Sequence, residues 1–193
     1  TKGPTFTYTD GKIVVDELSV DEGSSCVSGN VQIDKLTLSG TLVVCKNADV
    51  VVKEGISANA SNVVNLGGTI KGSDGKDIPV AGTFIAVSGY DNLVAALEAA
   101  DKSGAEVTIK ATAAITIPKD ALVNISDLVT LNMDTYTLTV ANGAKLNNAG
   151  TIKGAITVNG KLDNSGTIET ASLTVGDETN EATFENSGTV KMS

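Results

Sequence analysis

Leu146-Asn-Asn-Ala-Gly-Thr-Ile152 returns as Leu162-Asp-Asn-Ser-Gly-Thr-Ile168 and again as Phe184-Glu-Asn-Ser-Gly-Thr-Val190. The shared pattern is apolar, polar, Asn, small, Gly, Thr, β-branched. Each copy follows an alternating triplet: Leu138-Thr-Val140, Ile156-Thr-Val158 and Leu173-Thr-Val175. The segments joining triplet to motif hold five, three and eight residues, whereas the motif itself never changes length. Fixed corners with variable loops are what stacked coils permit, because a loop bulges outward without disturbing its neighbours. Gly150, Gly166 and Gly188 recur at intervals of 16 and 22 residues. Those intervals suit one solenoid turn of two or three short strands, each turn ~4.8 Å above the last.

Each repeated position then has a job. Leu138, Val140, Leu146 and Ile152 point inward in one coil. Ile156, Val158, Leu162 and Ile168 do so in the next, and Leu173, Val175, Phe184 and Val190 close the third. Thr139, Thr157 and Thr174 alternate with them and face out. Asn148, Asn164 and Asn186 stack as an amide ladder. Gly150, Gly166 and Gly188 are expected to supply a positive φ at the corner. The Asn and Thr rows read either as a binding face or as ladders that hold the corners, and the second reading is the simpler. A rival architecture comes from Asn142-Gly143 and Asn159-Gly160, which are hairpin dipeptides and suit an antiparallel sandwich. The third unit lacks Asn-Gly and has a longer loop, a change that would upset a hairpin register but not a coil.

The composition agrees with many strands and tight corners. The 193 residues include no His, no Trp and no Arg, and all fourteen basic residues are Lys. The net charge of −9 repels phosphate backbones and anionic lipid, so nucleic acid is not an expected partner. No stretch has the apolar length of a membrane span. No signal peptide is visible, and Thr1 and Ser193 read as the ends of a mature or trimmed chain. Cys26 and Cys45 are too few for a disulfide framework. Nineteen residues apart, they suit vertical neighbours on adjacent coils, and either a disulfide in an exported protein or two buried thiols fits.

Gly68-Thr-Ile-Lys-Gly72 reappears as Gly150-Thr-Ile-Lys-Gly154. Residues 1–85 therefore read as degenerate coils or as a separate small β domain ending near Pro79–Thr83. Strand signals lie at Lys12–Val15, Leu18–Val20, Val31–Ile33, Leu36–Leu38, Thr41–Val44 and Val50–Val52, with turns at Asp10-Gly11, Glu22-Gly23, Ser39-Gly40 and Glu54-Gly55. Further strands are expected at Val107–Ile109, Ile115–Ile117, Val123–Ile125 and Val129–Leu131. One segment reads as helix. Asp91–Lys102 sets Leu93, Val94, Leu97 and Ala100 on one face, with Ser88 as N-cap and Gly104 as its stop. Such a helix before a run of coils is suited either to covering an open solenoid end or to packing between two domains.

Tyr90-Asp-Asn-Leu-Val-Ala-Ala-Leu-Glu-Ala-Ala, Ala105-Glu-Val-Thr-Ile and Leu128-Val-Thr-Leu-Asn-Met-Asp-Thr-Tyr-Thr-Leu138 resemble the opening of pectin-lyase-like right-handed parallel β-helices. The Asn-Ser-Gly-Thr-Ile units resemble coils of bacterial surface adhesins and autotransporter passengers. The resemblance covers residues 86–193 well and 1–85 loosely. It implies an all-β, right-handed parallel β-helix (a β-solenoid) with one short capping helix near 91–102. The domains expected are 1–85, β-rich, and 86–193, a β-helix with an N-terminal capping helix.

Enzymes of that family use basic residues, His and Asp clusters, and neither set maps onto this chain. Asp163 and Glu185 share a motif position held by Asn147 and read as solvent-facing. Asp74 and Asp77, in Ser73-Asp-Gly-Lys-Asp77, are the nearest thing to a calcium loop but suit a turn better. Asp16-Glu17 and Asp177-Glu178 read as solvated charges. Neither Cys has a His partner for nucleophilic chemistry. Asn59-Ala-Ser61 and Asn124-Ile-Ser126 match the glycosylation pattern, which means little in a bacterial protein. Of the rings suited to carbohydrate, Phe6, Tyr8, Tyr90 and Tyr136 are candidates, and Phe84 and Phe184 are expected in the core. No catalytic, cofactor-binding or metal residue is assigned. The expectation is a non-enzymatic, exported cell-surface protein of adhesin type, with a glycan or matrix protein as partner. The alternatives are a polysaccharide-acting lyase or hydrolase or its inactive relative, and a passive spacer within a longer surface protein.

Overall fold

A computed structural model describes residues 6–21, 23–54, 63–78, 84–176 and 182–192. They form parallel β-solenoid coils, about eight turns in all, with one helix. By contacts the chain divides into two units, Thr1–Ile85 with Ala99–Ala105, and Ala86–Glu98 with Glu106–Ser193.

The first unit opens with a hairpin. β1 (Phe6–Thr9) runs antiparallel to β2 (Lys12–Val20). The turn between them is Asp10-Gly11, with φ of 51° and 75°, as a two-residue primed turn demands. From β2 onward the pairing is parallel: β2, β4 (Asn30–Leu38), β6 (Asp49–Glu54) and β8 (Thr69–Gly72) form one sheet. β3 (Ser24–Val27), β5 (Thr41–Val44) and β7 (Val63–Asn65) form a second. From β2 to β8, the described strands are thus stacked in parallel. Val15, Ile33 and Val52 stack in register and are almost wholly buried. Each such side chain contributes about 1.5–3 kcal/mol by leaving water. Cys26 on β3 is in register with Val43, not Cys45. The disulfide nevertheless forms diagonally, between Cα atoms 6.2 Å apart.

Next along the chain, β9 (Phe84–Val87) precedes α1 (Tyr90–Ser103), and both elements cross the division between the units. Ser88 accepts from the Asn92 side-chain amide at 3.2 Å, and Gly89 O accepts the Leu93 N–H. Leu93, Ala96, Leu97 and Ala100 are buried. Gly104, at φ 62°, ends the helix in the left-handed conformation that lacks a Cβ penalty there. Phe84, expected in the core, is instead 41% exposed. Its neighbours Ile85 and Val87 take the inward positions, and the two-residue period puts Phe84 on the other face.

The sheet that follows runs β9, β10 (Val107–Ala111), β13 (Val129–Val140), β15 (Thr151–Val158), β17 (Thr167–Thr170) and β20 (Thr189–Met192). β11 (Ile115–Ile117) also pairs with β13, and β18 (Leu173–Val175) with β15. A separate sheet holds β12 (Leu122–Ile125), β14 (Lys145–Asn148), β16 (Lys161–Asn164) and β19 (Thr183–Asn186). From β10 on, these pairings are parallel. That removes the sandwich reading: Asn142-Gly143 and Asn159-Gly160 join strands of different sheets. Leu138, Leu146, Leu162 and Ile168 are fully buried. Leu173, Phe184 and Val190 of the last coil are only half-buried, and Val175 is exposed.

The corner glycines correct one expectation. Gly150, Gly166 and Gly188 are absent from the positive-φ residues. They are required for closeness. A Cβ on Gly166 would lie nearer to the carbonyl oxygens of Gly150 and Ala149 than the 3.0 Å real Cβ atoms keep. Gly150 meets Ser126 O and Val129 O in the same way, and Gly188 meets Gly166 O. The corners stack backbone on backbone, with Gly166 N–H and Ser165 N–H both donating to Asn148 O at 3.0 and 2.8 Å.

Candidate functional site

The second unit sorts its outer surface by residue type. Register places Thr108, Thr130, Thr151, Thr167 and Thr189 in one continuous column. Thr116, Thr139, Thr157 and Thr174 form another. These threonines are half-buried or exposed and alternate with buried apolar residues, so their hydroxyls and methyls repeat on the surface every ~4.8 Å.

Beside the five-threonine column runs a charged one: Lys110, Asn132, Lys153, Glu169 and Lys191. Glu169 takes Lys153 from the coil before it at 3.0 Å and Lys191 from the coil after it at 3.1 Å. The hydrogen bonds from Lys153 and Lys191 hold its carboxyl below the usual range.

On the sheet of β12, β14, β16 and β19, the outward rows are Leu122, Lys145, Lys161, Thr183 and Asn124, Asn147, Asp163, Glu185. Asp163 pairs with Lys145 at 3.0 Å and Lys161 at 3.2 Å, and Lys161 also reaches Glu185 at 3.1 Å. Partial burial pushes the Asp163 carboxyl up. The hydrogen bonds from Lys145 and Lys161 outweigh that and leave it below its ordinary value. Lys161 is raised, by Glu185 first and then Asp163. Asp163 and Glu185 are thus adjacent in register, as a solvent-facing row should be. Asp163 is held ionised by lysines, the opposite of the raised carboxyl a general acid needs.

The inner corner carries the amide ladder. Asn148 Nδ2 donates to Asn164 Oδ1 at 2.7 Å, and Asn164 Nδ2 donates to Asn186 Oδ1 at 2.7 Å. Asn148 and Asn164 are nearly fully buried. Asn148 Oδ1, at the ladder's start, has no partner, because the residue in register above it is Ile125. Asn148 and Asn164 thus hold the corner and are closed to a ligand, whereas Asn186 is exposed.

No family model, no curated protein and no solved structure matches this chain.

The remaining sequence candidates do not converge. Asp74 Oδ1 accepts the Lys76 N–H at 3.1 Å and its other oxygen pairs with Lys76 Nζ at 3.1 Å, so Ser73–Asp77 is a side-chain-locked turn. Glu17 pairs with Lys35 at 2.7 Å. Among the described residues no group of three or more His, Cys, Asp or Glu could hold a metal. Asn124 Oδ1 accepts from Asn147 at 2.8 Å. Tyr8 and Tyr136 are exposed, and Tyr90 and Phe184 are half-buried. The Phe6 side chain, Asn59-Ala-Ser61, Asp177-Glu178 and Pro79–Thr83 lie outside the described residues. A shallow groove beside the β1–β2 hairpin is lined by Thr7, Thr9, Asp10, Lys12, Val14 and Gln32. It holds one carboxylate and so offers no acid–base pair. Among the described residues no helix is long and apolar enough to cross a membrane.

Sequence reasoning found Asp163 and Glu185 but missed their lysine lattice and the five-threonine column. The signal was present: the Thr before each β-branched corner residue in Thr-Ile, Thr-Ile and Thr-Val.

The lattice makes stability depend on acid in a defined direction. Asp163 and Glu169 have folded pKa values below their unfolded ones. Their contribution is full above about pH 4 and is lost as pH falls through the depressed values. Denaturant midpoints measured from pH 6 down to pH 2 are expected to fall, with a shallower fall in Asp163→Asn. An identical slope in the variant would mean that Asp163 is screened.

Proposed function

We propose that this chain is a non-enzymatic, adhesin-like display scaffold of an exported bacterial surface protein. One observation carries the reading: the outer faces of the second unit repeat a single residue type coil after coil, five threonines in one column and four in another. A periodic hydroxyl and methyl surface suits an extended, periodic ligand, for which a glycan or matrix protein is the proposed class. The flanking charges are largely spent on one another, so affinity would rest on hydroxyls and shape. Consumption of both cysteines in one disulfide supports an oxidising compartment.

The test is a glycan and matrix-protein array probed with the full chain, with and without calcium. The expected result is a calcium-independent hit that survives moderate salt and is lost at least tenfold in a Thr139→Lys/Thr157→Lys double variant of unchanged melting temperature. Silence on both arrays would remove the adhesin reading and leave a passive spacer.

A further inference from the structure

Two Asn-Gly pairs join the same two sheets in successive coils, and the structure treats them differently. Asn142-Gly143 lies between β13 and β14, and Asn159-Gly160 between β15 and β16. In an Asn-Gly pair the backbone nitrogen of the glycine can attack the side-chain amide before it, because glycine puts no Cβ in the way. Whether a given pair reacts depends on what holds that nitrogen.

Asn142 and Gly143 are both exposed. They are the central residues of a turn closed by the Ala144 N–H, which donates to Ala141 O at 2.9 Å. Gly143 has φ 78°, a left-handed conformation at the third position of a turn. Its N–H lies outside the turn's own hydrogen bond, and among the described residues no backbone carbonyl accepts it. Its carbonyl accepts the Asp120 N–H at a long 3.3 Å. A Cβ added at Gly143 would first meet the Lys119 side chain, a flexible group and not packed backbone.

Asn159-Gly160 is clamped. Gly160 is buried. Its N–H donates to Val140 O at 3.2 Å, and its carbonyl accepts the Thr183 N–H at 2.9 Å. A Cβ there would overlap Ala141 O and Ala144 O. The Gly160 nitrogen must therefore give up a buried hydrogen bond and move through packed backbone before it can attack. The ladder asparagines are guarded in the same way. The N–H groups of Ala149, Ser165 and Ser187, which follow them, donate to Ile125 O, Asn148 O and Asn164 O at 2.9, 2.8 and 2.9 Å.

We propose that Asn142 is a site of spontaneous covalent modification, at which the folded chain turns a side-chain amide into a carboxylate while Asn159 is preserved. Hydroxide takes the Gly143 N–H proton, and the nitrogen attacks Asn142 Cγ. The new N–Cγ bond forms, the Cγ–Nδ2 bond breaks, and Nδ2 leaves as ammonia with a proton from water, which restores the hydroxide. Water then adds to the cyclic imide and opens either of its ring C–N bonds. One opening gives aspartate on the original backbone, and the other gives isoaspartate, whose backbone runs through Cγ. Nothing is oxidised or reduced. The product adds a negative charge to the turn beside Lys119.

The test ages the full chain at mildly alkaline pH, native and in denaturant, and maps its peptides by chromatography and mass spectrometry. In the native chain the Asn142 peptide is expected to gain the mass of an amide turned into a carboxylate and to split into two peaks. It should do so at least tenfold faster than the Asn159 peptide. In denaturant the two rates should converge, because only the fold distinguishes the pairs. Asn142→Gln, whose longer side chain must close a larger ring, should silence the first site and leave Asn159 as it was. Three results would overturn the inference: equal rates at the two sites in the native chain, an Asn142 that reacts only in denaturant, or a tenfold gap that persists in denaturant.

Discussion

Gly166→Ala is expected to destabilise the second unit by about 3 kcal/mol or more, at the upper end of overpacking effects. The added methyl would occupy space already held by the carbonyl oxygens of Gly150 and Ala149. Neither oxygen can give way cheaply, because Gly150 O accepts the Thr167 N–H at 2.8 Å and Ala149 is one residue from it. Separating the corners would stretch that bond and those from Gly166 and Ser165 to Asn148 O, and would pull at the Asn148–Asn164 rung. In a stack where each coil contacts only its neighbours, the damage spreads one interface at a time. Hydrogen exchange should therefore accelerate first in β16 and β17, with a large loss of denaturant midpoint. Thr174→Ala, on an exposed outward position, should change stability by no more than about 0.5 kcal/mol. A Gly166→Ala protein as stable as Thr174→Ala would show that the corners are not in backbone contact.

Loss of the Cys26–Cys45 disulfide is expected to cost about 3 kcal/mol. The bond closes a loop with a sequence separation of 19 residues, and the chain-entropy account gives roughly that value for loops of this length. The loss acts mainly on the unfolded chain, so a Cys26→Ala/Cys45→Ala variant should keep the native circular dichroism and lose denaturant midpoint. Cys45 is 1% exposed but Cys26 is only half-buried, so reductant is expected to reach the bond from the Cys26 side. Intact mass with and without reduction and alkylation reads the bond directly. Two alkylated thiols in the unreduced, denatured protein would remove it, together with the support it gives to an oxidising compartment.

The motif in residues 146–190 pointed to parallel coils over the antiparallel sandwich that Asn142-Gly143 and Asn159-Gly160 also allowed, and the parallel register decided between them. Period-two alternation and a repeated corner are local properties, and they fixed which side chains go inward. They also fixed the amide ladder, because one Asn at the same place in successive coils leaves it nowhere else to point. Leu93, Leu97 and Gly104 likewise marked the helix and its end. Other features depended on which residues lie vertically next to one another. The sequence showed that Gly is required at 150, 166 and 188, but only stacked backbones reveal that the reason is contact rather than a left-handed φ. Lys161 could be seen two residues from Asp163, but its bridge to Glu185, 24 residues away, depends on inter-coil register. The same register left Cys26 opposite Val43 while the disulfide reached past it to Cys45. Local pattern chooses the face of a strand; only the stacking of coils chooses its neighbour.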